Sequence, residues 1–176
     1  MNLSVDLDGV LNFYPANWLN FLSVEFGYQF QNISQAKQEL TYIQYKEFKH
    51  LFRSSSYEME APNRSELVQS LNSLTVSGNT LFVHTSRAVH KASYFVKTYD
   101  WLEATGLNFS MLAFKSEDSF VDNQIRVHVD DDSEFLKEAS AFPLKLNLFL
   151  FTNEVSNSFE TVDDKSFLPK ILKILD

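Results

Sequence analysis

Short apolar runs alternate with helically spaced apolar positions along the chain, a pattern that predicts an α/β fold with a mostly parallel sheet. Five runs read as strands: Leu3 to Asp6, Thr80 to His84, Ser110 to Phe114, Arg126 to Asp130 and Leu146 to Phe151. Between the first two lies a long polar and aromatic stretch, from about Asn12 to Glu60. Within it Trp18, Phe21, Leu22 and Phe26 recur at helical spacing, and a second helical pattern runs from near Ser34 to Phe52. Pro62 marks a break, after which Leu67, Leu71 and Leu74 fall on one helix face. The helix after the second strand is expected to bury Phe95, Tyr99 and Leu102 and to end at Gly106, where glycine is favoured. Ser166 to Leu175 reads as the last helix, and the polar segment from Asn153 to Lys165 reads as a surface loop.

The polar residues of interest stand at strand ends. Open α/β sheets bind ligands at the carboxyl ends of their strands, so Asp6, Thr85, Lys115 and Asp130 are expected to meet on one rim. The first strand runs into Val5-Asp6-Leu7-Asp8-Gly9-Val10-Leu11. Alternate side chains of an extended segment share a face, so Asp6 and Asp8 can converge where the strand ends, and Gly9 lets the backbone turn away. Two carboxylates held that close repel unless a cation, a proton or donors relieve them. Magnesium suits such a site because it takes oxygen ligands and commonly uses one or two carboxylates with substrate phosphate. The same residues also suit an Asx-type turn with no chemistry attached.

The run Val127-His128-Val129-Asp130-Asp131-Asp132-Ser133 ends a strand in three consecutive acids. Unit charges roughly 5 Å apart repel by about 3 kcal/mol at an effective dielectric near 20, which again points to a compensating cation. Helix capping would use one of these acids only. At the end of the second strand, Thr85 and Ser86 offer hydroxyls and backbone N–H groups for a phosphate, or an ordinary helix cap. Arg87 would hold phosphate or lie solvated, and Lys115 directly follows the third strand.

Composition narrows the function classes. The chain has 176 residues, 44% of them hydrophobic, which suits one core domain with room for an insertion. A formal net charge of −8 argues against a polymeric nucleic-acid partner. With no cysteine, disulfides and thiolate metal sites are excluded. The absence of a bilayer-length apolar stretch and of a signal-peptide pattern leads us to expect a cytoplasmic protein without a membrane partner. The 17 phenylalanines exceed what the strands need, so some are expected to line a binding surface.

Taken in order, Asp6-Leu7-Asp8-Gly9-Val10, Thr85, Lys115 and Asp130-Asp131 resemble the four motifs of the haloacid dehalogenase superfamily: DxDG[VT], a Thr or Ser ending the second strand, a lysine, and an acidic pair ending a strand. Within it the chain looks most like the 5'(3')-deoxyribonucleotidase group, whose Thr-Ser pair and later Tyr-x-Trp-[VL]-Glu run are matched by Thr85-Ser86 and Tyr99-Asp100-Trp101-Leu102-Glu103. It departs at two points. Lys115 precedes Asp130 by about fifteen positions, farther than is usual, and the acidic run reads Asp-Asp-Asp where the group has Asp-Asp-Arg.

The resemblance implies a Rossmann-like core, residues 1–12 and 61–176, with a mostly parallel five-stranded sheet flanked by helices. It also implies a small helical cap, residues 13–60, inserted after the first strand and closing over the site. The implied activity is magnesium-dependent hydrolysis of a phosphomonoester: Asp6 forms an aspartyl-phosphate, Asp8 serves as acid and then base, and Lys115 completes the catalytic set. Thr85, Ser86 and Lys115 would hold the phosphate, and Asp6, the Asp8 carbonyl, Asp130 and Asp131 the metal. The expected partner is a small phosphorylated substrate, a nucleotide, whose base would stack on Tyr14 or Tyr57, with Tyr42 and Tyr45 behind them. The same tyrosines would also serve as packing within the cap. His84 and His128 are expected to be structural, since magnesium does not favour imidazole.

Three readings stay open: a nucleoside monophosphatase, a phosphatase for a nucleic-acid 3'-end or small metabolite, and a weakly catalytic protein that binds a phosphorylated ligand or partner. A homodimer is compatible with all three.

Overall fold

The computed structural model describes residues 1–55, 57, 61–87, 91–152, 154 and 156–175; Glu60 and Asn153, which bound two of the expected segments, lie outside them. The chain divides into two compact units, one of residues 1–11 with 63–176 and one of residues 12–62.

In the first unit six strands form one fully parallel sheet: β1 (Asn2–Asp6), β2 (Thr80–Thr85), β3 (Met111–Phe114), β4 (Val127–Asp130), β5 (Asn147–Phe151) and β6 (Glu160–Val162). Their spatial order is β3-β2-β1-β4-β5-β6, so the chain reverses direction of travel across the sheet between β1 and β4. Ligands of such sheets sit at that switch point, beyond the strand carboxyl ends. The sixth strand corrects the expectation of five. Glu160–Val162 lies in the stretch read as a surface loop, and it is three edge residues of which Val162 alone is buried, too short to carry a period of two.

Side-chain alternation divides each central strand between the two faces of the sheet. Leu3, Val5, Leu81, Val83, Val127 and Val129 are fully buried, as expected of strands covered by helices. The opposite alternation carries Ser4 and Asp6 on β1, Phe82 and His84 on β2, and His128 and Asp130 on β4, with Ser4 in register with both Phe82 and His128. This second set is buried too, under Phe120 of the helix Glu117–Asp122 and Phe135 of the helix Ser133–Ala139.

The other helices of this unit among the described residues are Ser65–Val76, Ala92–Ala104 and Phe167–Leu175. Leu67, Leu71 and Leu74 are buried together as their spacing implies. In Ala92–Ala104, however, the buried residues are Thr98, Trp101 and Leu102, while Phe95 and Tyr99 stack on each other at the surface, 38% and 37% exposed. The inward face is turned by one residue from the expected one, because Trp101 offers more apolar area than Tyr99.

Among the described residues the second unit holds the helices Ala16–Phe26, Ile33–Glu39 and Tyr42–Ser54. The single pattern from Ser34 to Phe52 is thus two helices. Leu40 is extended, and Thr41 opens a new helix with a reciprocal capping box to Gln44. Trp18, Phe21, Leu22, Ala36, Leu40 and Phe52 form the buried centre of this unit.

Candidate active site

β1, β2 and β4 end side by side, and the chain leaves each of them through polar residues. After Asp6, residues 7–11 make a tight turn in which Asp8 is extended and Gly9 takes φ 87°, a conformation that glycine accepts without steric cost. A second constraint applies at Gly9. The Asp131 carboxylate fills the space that a Cβ there would occupy, so the glycine is what lets the acidic run after β4 close on the turn after β1.

Carboxylate oxygens of Asp6, Asp130 and Asp131 lie within 4.8 Å of one another. Lys115 reaches into this group from the end of β3: its Nζ is 2.7 Å from Asp130 Oδ2 and 3.3 Å from Asp6 Oδ1. The backbone N–H of Lys115 donates to the Thr85 carbonyl at 2.9 Å, which fixes the root of the side chain against β2. The fifteen-residue separation of Lys115 and Asp130 is therefore bridged in space. Thr85 is buried and its Oγ1 accepts from the Arg87 N–H at 3.2 Å, whereas Ser86 is exposed.

The electrostatics follow from burial and crowding. Burial first, then the charge of Asp130, hold Asp6 well above the usual carboxylate range. Asp131 is exposed as a residue, but its carboxylate is packed against Gly9, and the same two causes push it up to about 7. Burial would raise Asp130 as well, but its hydrogen bond from His128 and its pairing with Lys115 outweigh that and hold it low. Burial likewise opposes the charge on Lys115, and Asp6 and Asp130 reverse the effect. One cation among three acids leaves the cluster short of positive charge. Asp6 Oδ1 is buried with no hydrogen-bond donor among the described residues, its 3.3 Å approach to Lys115 lacking bonding geometry. An oxygen-rich, underneutralised set with an unsatisfied buried oxygen fits a hard divalent cation.

Two residues play parts that the sequence did not reveal. Arg87 is not solvated: it is 3% exposed and pairs with both oxygens of Asp8. His128, fully buried, bonds Asp130 Oδ2 through Nε2 at 2.9 Å and Ser4 Oγ through Nδ1 at 2.7 Å. Asp132, the third acid of the run, caps the following helix through the N–H groups of Glu134 and Phe135.

Tyr14 and Tyr57 belong to the second unit, where both pack against its aromatic centre. The Tyr57 hydroxyl donates to Glu25 at 3.0 Å, and its ring also lines a cavity of about 160 Å³ with Asn17, Asn20, Ala61 and Pro62. Tyr45 stacks edge-on against Trp18 at 5.1 Å, and Tyr42 is 71% exposed.

No family model and no curated protein sequence matches the chain. Solved structures do. A predicted phosphatase from Clostridium acetobutylicum matches with a TM-score of 0.68 at 15% identity, covering 98% of each chain. A haloacid dehalogenase superfamily hydrolase from Ehrlichia chaffeensis matches with a TM-score of 0.58 at 10% identity, over 99% of this chain and 97% of its own. A D,D-heptose 1,7-bisphosphate phosphatase from B. bronchiseptica, whose structure holds magnesium and phosphate, gives 0.57 at 11% identity over 98% of each chain. Among the described residues no helix is long and apolar enough to cross a membrane. At these identities the likeness speaks for architecture, and the chain has the α/β Rossmann-like fold of the haloacid dehalogenase superfamily.

Proposed function

We propose that the chain is a magnesium-dependent phosphomonoesterase working through an aspartyl-phosphate on Asp6. The observation that carries this reading is the meeting of Asp6, Asp130, Asp131 and Lys115 at the carboxyl ends of parallel strands, beside the turn that presents Asp8. Asp6, Asp130, Asp131 and the Asp8 carbonyl would hold the cation, which supplies positive charge against the incoming phosphate.

The protein's own groups then divide the work. An Asp6 carboxylate oxygen attacks phosphorus, the P–O bond to the leaving group breaks, and Asp8 gives that oxygen its proton. In the second half Asp8 takes a proton from water as the water attacks the aspartyl-phosphate, which frees inorganic phosphate and restores Asp6. Lys115 and Thr85, with Ser86 at the entrance, hold the phosphoryl oxygens. Phosphoryl transfer depends mainly on such positioning and charge stabilisation.

The substrate class we infer is a small phosphate ester, and within it a nucleoside monophosphate. Tyr14 and Tyr57 are the side chains assigned to the base. A net charge of −8 disfavours a polymeric phosphate. Release of inorganic phosphate is to be measured from nucleotides and simple esters, with magnesium and with chelator, on wild type and Asp6→Asn. Magnesium-dependent turnover lost in Asp6→Asn supports the mechanism. Turnover of sugar phosphates alone would overturn the nucleotide assignment, and none on any ester would leave a binding role.

A further inference from the structure

The layer beneath the acidic cluster is polar where a sheet core would ordinarily be apolar. Ser4, His84 and His128 are all fully buried, on the same side of the sheet as Asp6 and Asp130. A buried imidazole between two strands costs desolvation unless both ring nitrogens are used. For His128 both are: Ser4 Oγ stands 2.7 Å from Nδ1 and Asp130 Oδ2 stands 2.9 Å from Nε2. His84, on β2 with β1 between it and His128, has Ser119 Oγ at 2.9 Å from Nε2 and, among the described residues, no hydrogen bond to a carboxylate.

The bond directions in this chain of contacts follow from chemistry. The Asp130 carboxylate only accepts, so His128 carries a proton on Nε2, and the Ser4 hydroxyl, which can donate or accept, pairs with Nδ1. Asp130 Oδ2 receives two donors, His128 Nε2–H and Lys115 Nζ at 2.7 Å, while Oδ1 accepts the Asp132 N–H at 2.9 Å. Three donors from three elements determine where that carboxylate lies. Lys115 is fixed in turn, between Asp130 and Asp6, with its ammonium 4.5 Å from the centre of the Phe135 ring.

We propose that His128 is a positioning residue for the phosphatase site: donating its Nε2–H to Asp130, with its ring held by Ser4, it fixes Asp130 and, through Asp130, the Lys115 ammonium against Asp6. The catalytic consequence rests on the function proposed above; the Nε2–H donation and the fixed carboxylate do not.

The first test therefore needs neither metal nor substrate. Nitrogen-15 NMR of the imidazoles in the metal-free protein, with His128 assigned by the signal missing in His128→Gln, is expected to show a proton on Nε2 at pH 7. A ring protonated on Nδ1 alone would overturn the proposal.

The second test is kinetic. His128→Leu keeps the bulk and removes the donor, whereas a glutamine side-chain N–H can reach the Nε2 position. His128→Leu is expected to lose kcat by about 10- to 100-fold, the usual effect of removing a partner behind a site carboxylate, with KM for a simple phosphate ester moving less than threefold. His128→Gln is expected to recover most of the loss. Equal activity in both variants, or equal loss in both, overturns the positioning role. If His128→Leu does not fold, Ser4→Ala serves: it leaves the volume nearly unchanged and is expected to shift the His128 nitrogen signals and lower kcat together, and an unchanged spectrum overturns the role assigned to Ser4. Should wild type hydrolyse no phosphate ester, the function reading fails, and the NMR result alone still decides the His128 to Asp130 linkage.

Discussion

The guanidinium of Arg87 forks the carboxylate of Asp8, with Nη2 2.5 Å from Oδ1 and Nε 2.9 Å from Oδ2. Its third donor arm reaches Thr98 Oγ1 at 3.4 Å, and its backbone N–H is held by Thr85, so the fork is anchored on both sides. A bidentate Arg–carboxylate pair fixes orientation as well as charge. Arg87 thereby places a cation beside the acids, where the run Asp130-Asp131-Asp132 supplies none.

Arg87→Ala is accordingly expected to lower kcat for phosphate ester hydrolysis by about 100-fold, at the low end of what a positioned acid-base group contributes. It should also lower stability, because it takes a paired guanidinium away from a largely buried carboxylate. Arg87→Lys keeps the charge without the fork and should fall between the two. Initial rates with magnesium, set beside thermal melts, check this; full activity in Arg87→Ala would show that Asp8 is oriented by something else.

At Gly9 two effects add. Alanine there meets the strain of φ 87° and also the Asp131 carboxylate, which must move. Gly9→Ala is expected to cost about 1–3 kcal/mol, a fall in Tm of roughly 2–4 °C per kcal/mol for a chain of this size. It should also weaken magnesium binding, read as a smaller magnesium-induced rise in Tm than in wild type. Loss of stability with an unchanged magnesium response would separate the turn from the acid.

Much of this rim was legible in the sequence. Asp6, Thr85, Lys115 and Asp130 each end an apolar run, and a strand that stops at a polar residue marks its own carboxyl end. What the sequence could not supply was register. The Arg87–Asp8 pair depends on β1 and β2 being parallel neighbours with Asp6 opposite His84, and the Ser4–His128 bond depends on β1 lying in register with β4. Neither pairing has a local signature. The break at Leu40 does have one, since Thr41 and Gln44 stand at capping-box spacing, but the helical period continuing through it concealed the stop.

The acidic cluster predicts how stability depends on pH. Asp6 and Asp131 both titrate higher in the folded chain than a free carboxylate, Asp131 at about 7. Between the unfolded value, about 4, and 7 the folded chain holds the extra protons, so metal-free stability is full at low pH and falls as pH rises through 7. Asp131→Asn removes part of that loss. Discounted for the exposure of Asp131, the gain is about 1 kcal/mol, or roughly 2–4 °C in Tm. It is expected at pH 8 without metal and should vanish near pH 4. Magnesium should stabilise wild type at pH 8 more than it does the variant. A variant that melts below wild type at both pH values would contradict the crowding argument.

Lys115 is the counterpart of that cluster, the cation whose side chain is 6% exposed between Asp6 and Asp130. In Lys115→Met the apolar stem still packs while the charge is lost. Breaking a buried pair from one side leaves the other charge uncompensated, which costs about 3–5 kcal/mol. The penalty should be largest at pH 8 without metal and should shrink on acidification, because protonating Asp6 removes the charge that Lys115 opposes. Catalysis is expected to fall further than stability explains. Removing one preorganised donor to a transition-state oxygen costs about 10²–10³-fold in kcat, and magnesium can restore the melting temperature without restoring that donor. Melts at pH 4 and 8, with and without magnesium, together with kcat at saturating magnesium, separate the two roles. If magnesium recovers both stability and rate, Lys115 serves charge balance alone and Thr85 carries the phosphoryl contact.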